Sequence, residues 1–590
     1  MKTERWNSRL GVILAVAGSA VGLGNFLKFP GQVAMYGGAA FMIAYVASFF
    51  LIGLPISIVE WTMGRHAGAN GYNSPPGIIG FFCGNKKMAY VGIIGAVLTV
   101  LIYCYYIYIE AWCLGYAYNF VAGELNFKTL GESGGFFADF IGAAENGDAF
   151  GFGSDKVLIF LVFAFLLNSW MIYRGVSRGI ELFCKYAMPT LIVLAIVIVV
   201  RMMTLSDVSP EHPDRTINQG LGFMWNPVKV LLEKREGNNW VEVRQLVGNA
   251  EIDRESARIK SESSASVFGN LKTGSVSSEP RERIRRISIF EQLTNPSIWI
   301  AAAGQVFFSL TVGFGAVMTY ASYLKRNDDI VLSSLTSCSA NEFCEVCLGG
   351  MITVPAAVAF FGVSGAIGAG LTLFDLGFKV LPLFFVSMPL GWFFGFMFFF
   401  LLFLAAVTSS LSMLQPSLAF IEEASGLKRK FSTLLLGVIT FFITGFVVYF
   451  SENLKAMDTL DFWMGQVAIY IFAMIQTIAF AWYFGVKRGI RLANSGSLIK
   501  LPPYYGFVIK FITPTILLAI FAMWLAKDVF GIIGNGKLSP YITDLFGGDG
   551  TPPNAAALMS VVIVFVMFGF FSLILFSSKK YDKIDRKAAK

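Results

Sequence analysis

The sequence predicts an all-α polytopic membrane protein with about twelve transmembrane helices, and three observations lead to this fold class. Of its 590 residues, 55% are hydrophobic and only 14% are charged, which is more apolar side chain than a soluble core can bury. Apolar runs of about 20 residues, the length that crosses a bilayer, recur along most of the chain. Basic residues concentrate in alternate connections between these runs, as in other multi-pass membrane proteins.

Hydropathy places the spans along the chain, and they are numbered in chain order throughout. The first continues from Leu10 past Gly22 without a small-residue cleavage site, so a retained helix is expected and not a signal peptide. The predicted ranges are 10–35, 38–64, 88–121, 156–173, 180–202, 298–323, 341–362, 381–420, 431–450, 461–484, 507–529 and 556–577.

The charge of the connections predicts the orientation. The formal net charge is +8, and basic residues follow spans 4, 6, 8, 10 and 12, whereas 123–155, 363–380 and 531–555 carry few. Both termini are therefore expected in the cytoplasm, with the spans in the lipid of an inner (plasma) membrane. The bases form no single face with interleaved aromatic residues, so nucleic-acid binding is not expected. The basic residues are Arg174, Arg178, Lys185, Lys325, Arg326, Lys428, Arg429, Lys430, Lys487, Arg488, Arg491, Lys579, Lys580, Lys583 and Arg586.

Residues 233–291 interrupt the apolar pattern. This segment is polar and Ser-rich, with mixed charge and almost no aromatic residues after Trp240. Such a composition cannot bury enough apolar surface to fold by itself. We predict a disordered insertion in an external loop, with a short helix near 228–247.

Spans 1 and 6 carry unusual glycine clusters. Residues 18–25 and 309–315 each contain two glycines at i, i+2 together with polar side chains, inside an apolar run. Glycine weakens a helix by ~1 kcal/mol, so both spans are predicted to unwind at mid-membrane. Freed carbonyls can bind cations, and a half-helix N-terminus can bind an anion. One such cluster would fit close helix packing, but two of them five spans apart indicate a transporter site between inverted repeats.

This spacing implies two inverted repeats of five helices each. The predicted divisions are 1–202 for the first repeat, 203–297 for an external loop that contains the 233–291 insertion, 298–484 for the second repeat, and 485–590 for spans 11 and 12 with a cytoplasmic tail.

Several motifs in a fixed order carry a family resemblance. They are Arg9 to Pro30, Glu60 to Arg65, Tyr105 to Glu110, Gly304 to Leu310, Gly315 to Tyr323, Asn341-Glu342, and Thr408-Ser409-Ser410 leading to Gln415-Pro416. With these motifs the chain resembles the neurotransmitter:sodium symporter family, and it is most similar to the bacterial leucine-transporter branch. The resemblance covers nearly the whole chain except the 233–291 insertion.

The resemblance implies that two sodium ions are carried with the substrate, and no other cofactor is expected. Sodium prefers several oxygen ligands, which unwound carbonyls supply. Without the resemblance, Thr408 and Ser409 would be expected to bond back to their own helix. The implied first sodium site is Ala20, Asn25, Ser309 (where relatives often have Thr) and Asn341, and the implied second sodium site is Gly18, Val21, Ala405, Thr408 and Ser409.

The resemblance also implies a small amino acid as substrate. Its carboxylate would complete the first sodium site and be held by the Tyr106 hydroxyl and the Gly22 and Gly24 amides. Amine-transporting relatives have Asp at the position of Gly22, so glycine implies a free amino acid. The implied pocket has no charged group, and a neutral, largely apolar side chain fits it best. The implied substrate-binding residues are Ser19, Ala20, Gly22, Gly24, Ile102, Tyr106, Phe308, Ser309, Thr311, Phe314, Ser409 and Met413.

Glu345 on span 7 is a buried ionisable residue, and such residues within a membrane are functional by default. Chloride-dependent relatives bind the anion near this position, where they have a neutral residue. A carboxylate therefore implies chloride independence, with proton binding when sodium leaves. The alternative is a structural carboxylate that accepts hydrogen bonds from Gln305 or serine neighbours.

The resemblance implies two gates. The external pair is Lys28 and Asp461, although relatives more often have Arg at the first position, and lysine cannot make the same forked contact. The internal pair is Arg5 and Glu423, although Arg5 directly precedes Trp6 where relatives space the two residues apart.

The leading hypothesis is secondary active transport by alternating access, driven by sodium. One alternative is an amino-acid sensor of the same fold that moves nothing. Another is a symporter for an osmolyte or an aromatic amino acid. An enzyme is not expected, since the two histidines, His66 and His212, lie in connections between the predicted spans and no nucleophile–base pair or metal cluster is present in the sequence.

Overall fold

A computed structural model describes residues 5–153, 156–205, 215–226, 228–236, 239–246, 251–261, 282–368, 373–532, 538–548 and 552–584. Within these residues, nine helices are long and apolar enough to cross a membrane, and a bent pair of helices forms a further span. The predicted all-α polytopic architecture is confirmed.

The spans follow the predicted order. The longest apolar helical segment, Leu158–Met203, is divided into spans 4 and 5 at Gly175, whose φ of 91° interrupts the helix. The observed bounds are Arg9–Ala20 and Gly24–Met35 for span 1, Ala39–Gly68 for span 2, Lys86–Ala122 for span 3, Leu158–Gly175 for span 4, Glu181–Met203 for span 5, Pro296–Leu310 and Ala316–Ser322 for span 6, Ile330–Gly362 for span 7, Gly391–Ser425 for span 8, Arg429–Tyr449 for span 9, Glu452–Ala493 for span 10, Tyr505–Val529 for span 11 and Ala555–Phe576 for span 12.

Span 8 begins ten residues later than its predicted range of 381–420. A separate apolar helix, Leu376–Ser387, precedes it, and Leu390 lies between the two in the left-handed region with a φ of 59°. Hydropathy alone could not find this break, because the apolar run continues across it. The shorter helices outside the spans include Pro75–Cys83, Leu130–Ile141, Ile217–Trp225, Ile289–Leu293 and Pro540–Phe546.

Both glycine clusters coincide with helix breaks. The two halves of span 1 meet at an angle of 47°, and Val21 between them is extended, with a ψ of 98°. In span 6 the chain leaves the helix at Thr311, whose φ is 52°, and continues through Gly313 and Gly315 at φ values of 80° and 82°. Glycine adopts such angles without a Cβ penalty, which is why the breaks lie at these positions.

The two broken spans lie against the longest buried helices. Spans 3 and 8 pack along each other, and the first half of span 1 packs against spans 5, 7 and 8. The second half of span 6 packs against span 2. Both breaks are therefore enclosed by neighbouring helices, which can bond to the freed backbone groups.

A small antiparallel sheet occupies part of the connection between spans 5 and 6. Its strands are β1 (Lys229–Glu236), β2 (Asn239–Leu246) and β3 (Glu282–Ile287), in the order β2-β1-β3. Val230, Leu232 and Leu246 form a buried apolar cluster with Ile252 from a helix over 251–261.

The predictions of disorder over 233–291 and of a helix near 228–247 are therefore wrong for the described residues. Side chains from three strands and one helix together bury an apolar cluster, which no single strand could bury alone. The remainder of the insertion, including 262–281, lies outside the described residues.

Candidate functional site

A small central cavity lies where spans 1 and 6 are broken. Its volume is about 10 Å³, and its walls come from both breaks and from spans 3 and 8. Eleven of the twelve residues predicted to bind substrate line it, namely Ser19, Ala20, Gly22, Gly24, Tyr106, Phe308, Ser309, Thr311, Phe314, Ser409 and Met413. Ile102 is fully buried on span 3 but does not line this cavity.

No charged side chain lines the central cavity, and two glycines keep it open. A Cβ at Gly22 would lie 2.8 Å from Ser409 Oγ and 3.0 Å from Tyr106 Oη. A Cβ at Gly24 would lie 2.6 Å from the Phe308 ring. Any larger residue at either position would therefore displace the walls.

The backbone amides at the break of span 1 already have acceptors. Gly22 N donates to Asn25 Oδ1 at 2.8 Å, and Leu23 N donates to the Tyr106 hydroxyl at 3.3 Å. The Gly22 amide, one of the predicted carboxylate donors, therefore bonds within its own chain segment in this conformation.

The residues of the predicted first sodium site come together beside this cavity. Asn25 Nδ2 donates to Asn341 Oδ1 at 2.8 Å, and Asn341 Nδ2 lies 3.4 Å from Ser309 Oγ. The carbonyl oxygens of Ala20 and Ser309 also face the Asn341 side-chain amide. If that amide is turned by 180°, its nitrogen lies 3.2 Å from each of these two oxygens. Several oxygen atoms thus converge on one point, where either an amide N–H or a cation can satisfy them.

The residues of the predicted second sodium site also converge. Ser409 Oγ lies 3.5 Å from the Gly18 carbonyl oxygen, across the contact between spans 1 and 8. Thr408 Oγ1 donates to the Ala405 carbonyl at 2.9 Å. Val21, at the end of the first half of span 1, is fully buried. Thr408 also donates to Leu404 O at 3.2 Å, so in this conformation its hydroxyl bonds back to its own helix.

Glu345 lies next to the first sodium site and is fully buried. Its carboxylate accepts hydrogen bonds from the Tyr45 hydroxyl at 2.6 Å and from Gln305 Nε2, and Asn341 Nδ2 lies 3.4 Å away. Tyr45 also donates to Glu342 at 3.0 Å. Tyr45 was not expected from the sequence, because a tyrosine on an apolar helix gives no signal of its partner.

Glu60 has a role that the sequence did not predict. Its carboxylate accepts from the Gly313 amide at 3.0 Å, inside the break of span 6, and from Gln476 Nε2 at 2.8 Å. It thereby satisfies one backbone donor that the broken helix frees, and it links spans 2, 6 and 10.

A larger outer cavity of about 480 Å³ lies next to the central one on the predicted external side. Tyr106 and Phe308 line both cavities and form the wall between them. Lys28 and Asp461 also line the outer cavity, but they form no ion pair in the described structure. The Lys28 amino group lies 4.0 Å above the Phe308 ring, and Asp461 accepts from the Tyr105 hydroxyl at 2.6 Å.

The predicted internal pair is not formed either among the residues that the structure describes. Arg5 is exposed to solvent. The Glu423 carboxylate accepts from the Asn73 and Ser74 amides at 2.6 and 3.2 Å. These amides lie at the start of the helix Pro75–Cys83. Glu423 therefore stabilises the start of that helix and is not paired with Arg5 near the beginning of the chain.

The comparison with known proteins decides the family. The description of the sodium:neurotransmitter symporter family matches residues 3–134 and 286–533, which together exceed half of the chain. The chain belongs to this family. Its members are sodium-dependent transporters and not enzymes, and this chain is a multi-pass membrane protein of that class.

Individual relatives agree with this membership. An uncharacterized sodium-dependent transporter of Methanocaldococcus jannaschii is 24% identical over 525 residues, covering 88% of this chain and 90% of that protein. The uncharacterized sodium-dependent transporter YhdH of Bacillus subtilis is 27% identical over 450 residues, covering 75% and 78% of the two chains. The crystal structure of MhsT in complex with L-phenylalanine matches with a TM-score of 0.65 at 25% identity, over 88% of this chain and 99% of that one.

Proposed function

We propose that this protein is a symporter that imports a neutral, hydrophobic amino acid together with two sodium ions, independently of chloride and by alternating access. The observation that carries the proposal is the uncharged central cavity, with converging oxygen ligands on both sides of the span 1 break. Membership of the sodium:neurotransmitter symporter family supports sodium as the driving ion.

The absence of a charged lining group supports a neutral amino acid. An amine substrate would need a carboxylate in the site, and Gly22 leaves no room for one, since its Cβ would lie 2.8 Å from Ser409 Oγ. A free amino acid brings its own carboxylate, which the amides and the Tyr106 hydroxyl at the break can bind. MhsT, which was solved with L-phenylalanine, is a relative consistent with an apolar side chain.

The size of the central cavity requires that binding be accompanied by movement. About 10 Å³ is less than one amino acid occupies, so the walls have to separate when substrate enters. Phe308 and Met413 are the walls best suited to move, because one is a lid shared with the outer cavity and the other is a flexible thioether. Rotation of Phe308 would join the two cavities, which is the outward-facing step of alternating access.

Glu345 supports chloride independence. A carboxylate already supplies the negative charge beside the first sodium site, so an anion there would be repelled. The human sodium- and chloride-dependent GABA transporter 2, which is 21% identical over 571 residues (89% of this chain, 81% of that protein), is a family member whose name records chloride dependence.

The experiment that tests the proposal is uptake of labelled amino acids into proteoliposomes with sodium outside, repeated with potassium in its place. We expect one or a few neutral amino acids to accumulate, and only with sodium. Sodium-dependent binding without accumulation would instead indicate a sensor. Accumulation of a charged amino acid or an amine would contradict the substrate class.

Chloride is tested in the same vesicles with gluconate in its place. We expect wild-type uptake to be unchanged and Glu345→Ser to require chloride, because that variant lacks the local negative charge. Glu342→Gln is the comparison variant, since Glu342 also accepts a hydrogen bond from Tyr45, and its uptake should remain independent of chloride. Chloride-dependent wild-type uptake would contradict the proposal.

A further inference from the structure

A third cavity lies away from the transport site, on the outer flank of spans 4, 5 and 8. Its volume is about 370 Å³. Its lining includes two arginines at one end, Arg174 and Arg178, and a mainly apolar wall further along span 5 that includes Leu182, Phe183 and Tyr186. Phe400 of span 8 closes the far side. We call this cavity the flank groove.

The surroundings of the flank groove show that it faces lipid. Many large apolar side chains of spans 4 and 5 are exposed on this flank, including Leu166, Trp170 and Val193 at 50% or more. A soluble surface rarely carries such a continuous apolar area, whereas a helix flank in a bilayer does. The groove is thus open to acyl chains.

The two arginines lack acidic partners. Both are exposed, and neither forms an ion pair with any residue in the described part of the chain. The Arg174 guanidinium stacks on Trp170, 5.0 Å from the ring centre, which holds it at the groove mouth. Two unpaired guanidinium groups beside one apolar groove are suited to a phosphate, which they can bind through forked hydrogen bonds.

The length of the groove fits one leaflet. Arg178 lies just before span 5, and Thr190 lies on it. A helix rises roughly 18 Å between these two residues at 1.5 Å per residue, which is somewhat more than half of the ~30 Å hydrocarbon core. The arginines follow span 4, which the basic connections place at the predicted cytoplasmic surface, where anionic lipids are concentrated. The polar end thus lies at headgroup depth and the apolar end reaches toward the bilayer centre.

We infer that the flank groove binds one anionic phospholipid, with its phosphate on Arg174 and Arg178 and one acyl chain along span 5 toward Phe400. The exposed Tyr186 phenol lies two turns further along the groove and is available to the ester groups. This site is separate from the transport pathway, and it does not depend on which substrate the protein carries.

The test is native mass spectrometry of the purified full-length protein, titrated with phosphatidylglycerol, with phosphatidylcholine of the same chains, and with inorganic phosphate. We expect one tightly bound phosphatidylglycerol. Arg174→Gln with Arg178→Gln should weaken it about 30-fold, which corresponds to about 1 kcal/mol for each arginine. Lys428→Gln with Lys430→Gln is the matched control, because it removes two exposed charges from the same predicted side outside the groove, and it should leave binding unchanged.

A second variant tests the acyl chain. Thr190→Phe places a ring at an exposed position of the groove wall while both arginines remain, and it should weaken phosphatidylglycerol about tenfold without changing sodium-dependent uptake in neutral lipid. Equal binding of phosphatidylcholine, equal weakening in the lysine control, or displacement by inorganic phosphate would each overturn the inference. Unchanged binding in either groove variant would also overturn it.

Discussion

At the scale of single residues, the proposed sodium sites depend on oxygen atoms that the described structure already holds close together. Thr408→Ala removes one hydroxyl, which bonds to the Ala405 carbonyl on the turn of span 8 that faces Gly18. We expect sodium affinity to fall at least about tenfold, because one bond to a charged group contributes about 1.5–3 kcal/mol. Sodium titration of substrate binding measures this, and Asn25→Ala should have the same effect through the first sodium site.

Thr440→Ala is the matched control for Thr408→Ala. Thr440 is also buried and donates to a carbonyl of its own helix, Leu436 O, at 2.9 Å, but it lies on span 9 away from the sites. The sodium affinity of the Thr440→Ala variant should equal that of the wild type. Full sodium-dependent uptake in Thr408→Ala would show that the second site is wrongly assigned.

Gly22 limits the central cavity on the side of spans 3 and 8. Gly22→Ala would place a methyl group 2.8 Å from Ser409 Oγ and 3.0 Å from Tyr106 Oη. Overpacking costs about 1–3 kcal/mol, so we expect substrate affinity to fall about 10- to 100-fold. Equilibrium binding of the labelled substrate measures the change. Gly445→Ala, where a Cβ meets no atom within 4 Å, should bind normally, and equal binding by both variants would refute this view of the site.

At the scale of secondary-structure elements, the inserted sheet is held by one buried carboxylate. Glu233 on β1 is bonded to Arg283 of β3 at 2.6 Å, with Arg285 at 3.5 Å, and its side chain is only 6% exposed. Glu233→Gln should weaken the sheet by about 1–3 kcal/mol, because two charges lose their partner. Hydrogen exchange of the strand amides should show faster opening.

Glu242 provides the comparison in the same sheet. It pairs with Lys229 at 3.5 Å, but its side chain is 46% exposed. Exposed pairs contribute little, so Glu242→Gln should leave the exchange rates nearly unchanged. If Glu242→Gln loosened the sheet as much as Glu233→Gln, burial would not be the reason for the effect.

The contact of the start of span 7 with Arg9 and with the segment after span 10 depends on pH. Asp329 caps span 7 through the Leu332 amide, accepts from the Leu498 amide, both at 2.9 Å, and pairs with Arg9 at 3.3 Å. Burial alone would raise the pKa of Asp329, but these amides and the Arg9 charge outweigh it and hold the pKa below its usual 3.8. The ionised carboxylate therefore stabilises the folded state above pH 3.8, and this contribution is lost as pH falls through the lower folded value.

Asp329→Asn tests this junction, because asparagine keeps the cap and removes the charge. We expect the variant to be less stable by about 1 kcal/mol near neutral pH, since Arg9 is partly exposed and its pair is weak. The difference should shrink below pH 3.8. Thermal unfolding of both proteins from pH 3 to 7 measures it, and a difference that stays constant over this range would exclude the charge as its cause.

At the scale of the whole molecule, the proposed cargo of two sodium ions and a zwitterion would move two positive charges per cycle. Each charge contributes about 2.3 kcal/mol per 100 mV. With equal sodium on both sides, a tenfold outward gradient of substrate should be balanced by an inside-negative potential of about 30 mV. Substrate flux at imposed potentials locates the balance point. A value near 60 mV that does not change under an imposed pH gradient would indicate one net charge without proton exchange, and it would contradict the proposed two-sodium coupling.

The spans and the broken helices could be predicted because each depends on local composition. Apolar length locates the spans, and glycine pairs locate the breaks at Val21 and Thr311. The break at Leu390 could not be predicted, because a leucine in the left-handed region carries no local signal. The sheet was missed for a similar reason, since Val230, Leu232 and Leu246 form a core only after strands distant in sequence have paired.

By itself, the sequence determined the membrane class, the order of the spans, the two helix breaks and, through the family motifs, the set of residues that surrounds the central cavity. Those features follow from hydrophobic length, glycine conformation and residue identity. Only the tertiary structure decided which partners each polar group has. Gly313 bonds to Glu60, Glu345 to Tyr45, and Glu423 to the Asn73 amide and not to Arg5. Hydrogen bonding acts over about 3 Å between groups far apart in sequence, so packing sets these partners and local pattern does not.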